Sequence, residues 1–226
     1  MLPVMNVLRL SRFPIYHQLL LEEALLRGTT DNWFLINDGA FHPAIVMGIS
    51  GKHEELIHGE EAIRSSIQVI RRFSGGGTVV VDHDTVFTTL IVNRGQDHTP
   101  PVEPYPKEIM KWTASHLFRP TFSRYGDFRL QENDYSFDQL KFGGNAQSIT
   151  GKRWLHHTSF LWDYNPALMG LLKSNPPRAP SYRKGRDHHS FVVKLKDLVA
   201  PSGDPTEPRR SMIDLLSTSP SHAVSH

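Results

Sequence analysis

The sequence predicts an α+β domain: a mixed, largely antiparallel sheet with a few helices packed against it. Three observations carry that prediction. Short runs rich in β-branched residues, such as 87–93 (FTTLIVN), outnumber the helical stretches. The helical stretches are interspersed among the strands. No internal repeat is visible, so a solenoid or propeller is not expected. At 226 residues and 38% hydrophobic content, the chain suits one compact domain, or one domain with a tail.

The elements follow in order. Residues 14–27 (PIYHQLLLEEALLR) predict a helix with Leu19, Leu20, Ala24 and Leu26 on its apolar face and Gly28 as its C-cap. Residues 33–36 and 44–49 predict short strands separated by the turn signal Asn37-Asp38-Gly39. Residues 55–67 mix Glu, Ile and Ala in a helix-like pattern. Two strands, 69–72 and 78–81, flank a run of glycines, and 87–93 forms another strand. The four prolines of 97–106 predict a loop, and 108–118 a helix. Strands are expected at 139–142 and 159–162, a short helix at 165–173 and a last strand at 190–194. From Ala200 the chain turns rich in Pro, Ser and Thr and poor in aromatics. The expectation is a domain over 1–199 and a disordered tail over 200–226, with at most a helical turn at 212–216.

Composition excludes several classes. There is no cysteine, hence no disulfide framework, no zinc–thiolate site and no thioester intermediate. A net charge of +2 does not argue for a nucleic-acid partner. No apolar run approaches the ~18 residues of a membrane span, so no membrane association is expected. The N-terminus lacks the charged region and long apolar core of a secretory signal, though it holds arginines and no acid before Glu22. The expected compartment is cytoplasmic or mitochondrial.

The most informative stretch is Arg71-Arg72-Phe73-Ser74-Gly75-Gly76-Gly77-Thr78, followed by Val79-Val80-Val81-Asp82. Glycine reaches positive φ and lets backbone approach another group closely. Arginine supplies a fixed fork of donors suited to carboxylate or phosphate. A plain glycine hairpin turn with surface arginines is the local alternative. A second block follows: Asn133-Asp134, then Lys141-Phe142-Gly143-Gly144-Asn145-Ala146-Gln147, then His156-His157-Thr158.

These two blocks, in this order, resemble the lipoate–protein ligase family within the wider biotin/lipoyl ligase fold, and the resemblance spans residues 15–195. It implies a biotin/lipoyl ligase-like catalytic domain. It also implies that lipoate, or octanoate, is adenylated with ATP and Mg²⁺ and passed to a lysine of a lipoyl carrier domain, in a 2-oxoacid dehydrogenase or a glycine-cleavage H-type protein. The cysteine-dependent acyl transfer used by some enzymes of this fold is closed to a chain without cysteine. The Arg- and Gly-rich biotinylation loop of the biotin-ligase branch is not visible.

The resemblance assigns roles. Lys141 is the catalytic candidate, a compact charge that touches the acyl carboxylate and the α-phosphate together. Arg72 would hold the adenylate phosphate or the carboxylate, while strand alternation turns Arg71 to the other face. Ser74, Gly75, Gly76 and Gly77 would wall the pocket, and Gly143 and Gly144 let backbone near a ligand. Asn133 and Asp134 resemble the pair beside the adenylate, with Asp134 as a Mg²⁺ ligand; an ordinary Asx turn remains the alternative. The spacer from Tyr135 to Leu140 can serve as the short strand the family has there. His157 is placed at the acyl pocket, although the glycine that follows the His pair in the family is missing. His156 and His157 are adjacent, so on a strand they face opposite ways and do not share an ion. Asp82 reads as a structural cap, and His53, His58, His188 and His189 as surface residues.

Larger ligases of the family carry a further C-terminal domain, and the tail here is too short and polar to be one. Two alternatives therefore stand beside a complete ligase. One is a transferase that takes preformed lipoyl-adenylate and relies on a separate partner for adenylation. The other is a non-catalytic protein that binds the acyl ligand or the carrier domain.

Overall fold

The computed structural model describes residues 5–94, 102–174, 176–177, 179–201 and 204–223, without the side chains of 221–223. Strand β1 (Met5–Ser11) leads to helix α1 (Ile15–Gly28), β2 (Asn32–Asp38) and β3 (Ala44–Met47). Two short helices, α2 (His53–Leu56) and α3 (Gly59–Arg64), precede β4 (Gln68–Arg71), β5 (Val79–Val81) and β6 (Thr85–Asn93). Helix α4 (Pro106–Thr113) runs through a π turn (Ala114–Phe118) into α5 (Arg119–Phe122). There follow β7 (Phe128–Gln131), β8 (Asp134–Phe137), β9 (Leu140–Ile149), β10 (Arg153–Leu161) and α6 (Pro166–Met169). A 3₁₀ turn (Ser181–Arg183), α7 (His188–Phe191), α8 (Leu195–Val199) and α9 (Thr206–Ala223) complete the described chain.

Seven strands form the main sheet in the order β1-β2-β6-β10-β9-β8-β7, and three form a smaller sheet, β4-β3-β5. Pairing is parallel for β1–β2 and β3–β4 and antiparallel elsewhere, which is the mixed α+β layout expected. In β6 every residue but the last is buried, because both faces of the main sheet are covered. One face carries Phe34, Leu90, Trp154 and Phe160 against α4, α5 and α9. Rings of Phe118, Phe122, Phe128, Tyr135, Phe142 and Phe160 interlock there, at centroid spacings within the 4.5–7 Å of favourable aromatic pairs. The opposite face carries α1 and the small sheet, packed through Ile15, Leu19, Val46, Val81 and Phe87.

Several expectations change. The buried face of α1 is Ile15, Gln18, Leu19, Glu22 and Leu26, while Leu20 and Ala24 are exposed. Two polar residues thus point inward, which apolar periodicity alone does not find. Gly28 is not a left-handed cap; Thr29 is extended and its hydroxyl donates to the Leu25 carbonyl instead. The single helix expected over 55–67 is two short ones, broken at Ile57, which forms an isolated bridge to Leu172. The glycine run is not a hairpin: β4 and β5 both pair with β3 rather than with each other. β1 and β7 lie outside the predicted strands, and β9 and β10 are far longer than predicted. Instead of a last strand over 190–194 there is α7, with an isolated bridge from Val192 to Lys141. Residues 97–101 of the proline-rich loop lie outside the described residues.

The tail differs most. Residues 206–223 form α9, and Met212, Ile213 and Leu216 are buried in the main core. Asp204 accepts from the Thr206 N–H and hydroxyl just ahead of the helix. Arg209 binds Asp38, Asp84 and the His83 carbonyl. Polar composition argues for disorder, but three apolar residues on one helical face, plus one half-buried arginine held by two carboxylates, suffice to dock the helix.

Candidate functional site

Lys141 and Asp134 meet because the β8–β9 hairpin is irregular. Tyr135 pairs with Gly143, whereas the next residue, Ser136, pairs with Lys141, so Phe142 is an extra residue in β9. Such a bulge shifts the alternation of side chains by one. It turns Lys141 onto the same face as Gly144 and sends the Phe142 ring into the opposite core. The Lys141 Nζ then lies 2.7 Å from Asp134 Oδ1. Gly144 lies beside it; a Cβ there would be in ordinary contact, at 3.6 Å, with the Lys141 Cε and Nζ.

Lys141 and Gly144 line a cavity of about 430 Å³ together with Gly76, Gly77, Ser159 and Lys52. One part of its wall is apolar, built from Leu56, Val80, Leu161, Met169 and Leu172. Another part carries the cationic side chains Lys173 and Arg183, together with His188. The volume and the mixture of apolar wall and few polar groups suit a small-molecule site.

The glycine run forms one wall through close backbone packing. Gly76 has φ +107°, and a Cβ on it would stand 2.7 Å from Arg72 Nη2 and 2.8 Å from the Asn145 carbonyl. A Cβ on Gly48 would come 2.2 Å from the Gly76 carbonyl, so this position, which sequence reading passed over, requires glycine as well. Gly77 faces open space.

The other predicted residues are distributed differently. Arg72 is buried behind the turn, where its guanidinium donates to the carbonyls of Gly75, Gly77 and Val46. Burial pushes Arg72 down to about 10, opposed by the Glu22 charge, so it stays cationic at neutral pH. It braces the glycine turn and is not part of the cavity wall. Arg71 lies on the outer side and holds the Ile49 and Gly51 carbonyls. Ser74 is buried, and its carbonyl accepts from Ile49 N–H; Gly75 N–H donates to Gln147. Gly143 faces the core, where a Cβ would press on Phe160 and Tyr135. Asn133 is exposed in the β7–β8 turn, its carbonyl accepting from the Asn145 amide. Asp82 accepts from Asp84 N–H and the Thr85 hydroxyl, capping the β5–β6 turn.

The two adjacent histidines do face opposite ways. His156 is buried, hydrogen-bonded to Tyr135, Gln147 and Thr158, and burial, with His157 beside it, pushes it down to about 3. His157 turns toward α1, with Nδ1 2.9 Å from Glu22 Oε1. Glu22 also accepts from Gln18 and Thr89. Burial raises the Glu22 carboxyl, but the attraction of His157 and these hydrogen bonds outweigh it and hold it below its ordinary value. This network is sealed in the core and does not line the cavity.

Both oxygens of Asp134 are engaged, one by Lys141 and the other by the Tyr182 hydroxyl at 3.0 Å. An ammonium in contact competes with a dication, so this donor set does not suit Mg²⁺. Among the described residues, Asp82, His83 and Asp84 form a compact group of possible metal ligands, away from the cavity.

Sequence reading missed Tyr182, Arg183 and His188. Burial, and the Arg183 and Lys141 charges, push His188 down to about 4, which leaves it neutral at pH 7. It is therefore a half-buried wall residue, not the surface histidine expected. The run Tyr182-Arg183-Lys184-Gly185-Arg186, a cationic stretch after a proline-rich one, was the available signal.

The chain belongs to the lipoyl protein ligase A/B catalytic domain family, whose model matches residues 14–216. The chain is similar to a Plasmodium falciparum protein named inactive lipoate–protein ligase 2, with 26% identity over 248 residues, covering 85% of this chain. It spans 64% of that relative's length. In fold it is similar to the bipartite lipoate protein ligase of Thermoplasma acidophilum, solved in a study of a lipoylation system with its E2 lipoyl domain. The TM-score is 0.74 at 18% identity, over 97% of this chain and 84% of that one. A crystal structure of lipoate–protein ligase A bound with ATP matches with a TM-score of 0.72 at 17% identity, over 98% and 86%. No helix among the described residues is long and apolar enough to cross a membrane.

Proposed function

We propose that this chain adenylates lipoate or octanoate with ATP and transfers the acyl group to a lysine of a lipoyl carrier domain. The observation that carries this reading is Lys141 on the cavity wall beside Gly76, Gly77 and Gly144, held from behind by Asp134, in a lipoyl ligase family chain. In the first step a carboxylate oxygen attacks the α-phosphorus of ATP and pyrophosphate leaves. Both reactants are anions, so the protein's task is positioning and cancellation of charge. Lys141 reaches the site where carboxylate and phosphate meet, and Arg183 and Lys173 add positive potential along the same wall. The apolar part of the wall offers a surface for a flat base or an alkyl chain. Mg²⁺ would be held by the phosphates of ATP, where it would neutralise negative charge, since both oxygens of Asp134 are engaged. In the second step a neutral lysine amine attacks the acyl carbonyl and AMP leaves. That rate rises with pH toward the amine's pKa, about 10.4 for a free lysine.

A second reading has one supporting observation, the relative named as an inactive ligase. On that reading the chain uses preformed lipoyl-adenylate made by a partner, or only binds the acyl ligand. The test is the intact mass of an apo lipoyl domain after incubation with this protein, Mg-ATP and lipoate. A gain of one lipoyl group is expected. Gain only with synthetic lipoyl-adenylate would replace the ligase by a transferase. Tight ligand binding with no modification in either case would leave a binding protein.

A further inference from the structure

Residues 179–193 cross the cavity as a strap, contributing Pro180, Arg183, His188, Phe191 and Val192 to its wall. The strap is held by the hairpin that carries Lys141. Val193 N–H donates to the Lys141 carbonyl at 2.9 Å, and Glu132 accepts from the Ser181 hydroxyl and the Tyr182 N–H. Its Tyr182 hydroxyl donates to Asp134 Oδ2 at 3.0 Å while Asp134 Oδ1 takes Lys141 Nζ at 2.7 Å. Burial and the Asp134 charge raise the Tyr182 phenol above its ordinary value, so it remains a donor.

We propose that Tyr182 is a positioning residue. By occupying one oxygen of Asp134 it keeps that carboxylate from closing on Lys141, and so leaves the ammonium directed at the cavity. A carboxylate with two partners divides its acceptor capacity between them. Without the phenol, both oxygens turn to Lys141, and the ammonium is drawn back onto Asp134. The strap that lines the cavity is thereby linked to the group that meets the ligand. This inference rests on the reading of Lys141 as the substrate-facing group.

Tyr182→Phe is the direct test, since its ring retains the contact with Phe191 at 5.1 Å between centroids. Glu132→Gln is the control, because it loosens the same strap without touching Asp134. The first readout is the rate at which an amine-reactive ester labels Lys141, followed by peptide mass at one pH. Tyr182→Phe is expected to slow labelling several-fold, Glu132→Gln to leave it at the wild-type rate, and Asp134→Asn to speed it. The second readout is ATP–pyrophosphate exchange, where Tyr182→Phe is expected to lower kcat about tenfold with KM for lipoate within twofold. Equal labelling in Tyr182→Phe and wild type, or equal slowing in Tyr182→Phe and Glu132→Gln, overturns the proposal. Absence of exchange in the wild type overturns the ligase reading alone, because the labelling rates still decide the role of Tyr182.

Discussion

Two acid–base pairs lie on the same face of the main sheet and behave as opposites. Glu22 and His157 come from α1 and β10, are sealed in the core, and gather Gln18 and Thr89 around them. Asp134 and Lys141 come from one hairpin, and Lys141 opens onto a cavity. Each acid also accepts from a hydroxyl, of Thr89 in one case and Tyr182 in the other. The Glu22 carboxylate is almost fully covered, at 1% exposed, whereas the Lys141 side chain keeps 23% of its surface. A sealed pair holds the fold together and has nothing left to offer a ligand. A pair at a cavity wall can exchange its partner for a substrate. The family resemblance named three of these four residues as site residues, Lys141, Asp134 and His157; of them the structure places Lys141 on the cavity wall.

The contrast can be broken from either side. Lys141→Ala is expected to lower adenylate formation by about 10²–10³. Its thermal unfolding midpoint should match wild type, and a lost fold or retained turnover would erase the distinction. Glu22→Ala is the converse. Removing one member of a buried pair costs about 3–5 kcal/mol, because His157, Gln18 and Thr89 lose their common acceptor. A urea melt reads this directly, and a loss under about 1 kcal/mol would show the pair to be dispensable.

Two neighbouring glycines repeat the contrast at smaller scale. Gly76→Ala meets the Asn145 carbonyl and a positive φ, costing about 1–3 kcal/mol from the backbone conformation alone. Gly77→Leu projects into open space. It should leave stability unchanged and lower kcat/KM for ATP about a hundredfold by displacing the ligand. Paired melts and kinetics separate the two.

The smallest effect, per pH unit, is on pH dependence. His156 has an ordinary value of 6.5, pushed to about 3 in the fold. Between those values the unfolded chain binds a proton that the folded chain does not. Stability therefore falls as pH drops below 6.5, by about 1.4 kcal/mol per pH unit for one proton. Glu22, held below its ordinary 4.5, contributes stability above that pH and loses it as pH falls through its folded value. His156→Gln should flatten the dependence between pH 6.5 and 4.5 and keep the decline below it. Urea melts at pH 7, 6, 5 and 4 decide this.

Much of the fold was legible. The helix of α1, the cores of β2, β3, β5 and β6 and the start of α4 follow from periodicity and turn residues. β9 and β10 extend beyond what local composition predicts because Gly143-Gly144 and His156-His157 do not resemble strand sequence; they are strands because both neighbours pair with them. α9 lies in a stretch whose composition is that of a tail, and only the spacing of Met212, Ile213 and Leu216 marks a face that can dock.

By itself, the sequence determined the family, the mixed α+β class, the absence of thiol chemistry and the candidacy of Lys141 and the glycine run. These depend on residue types and local spacing. Only the tertiary structure decided which of the candidates meet. The bulge at Phe142 selects the face of Lys141, and Tyr182 reaches Asp134 across 48 positions and His157 reaches Glu22 across 135. Strand register and long-range closure are set by the packing of whole faces against one another, because a shift of one residue exchanges every side chain between core and cavity.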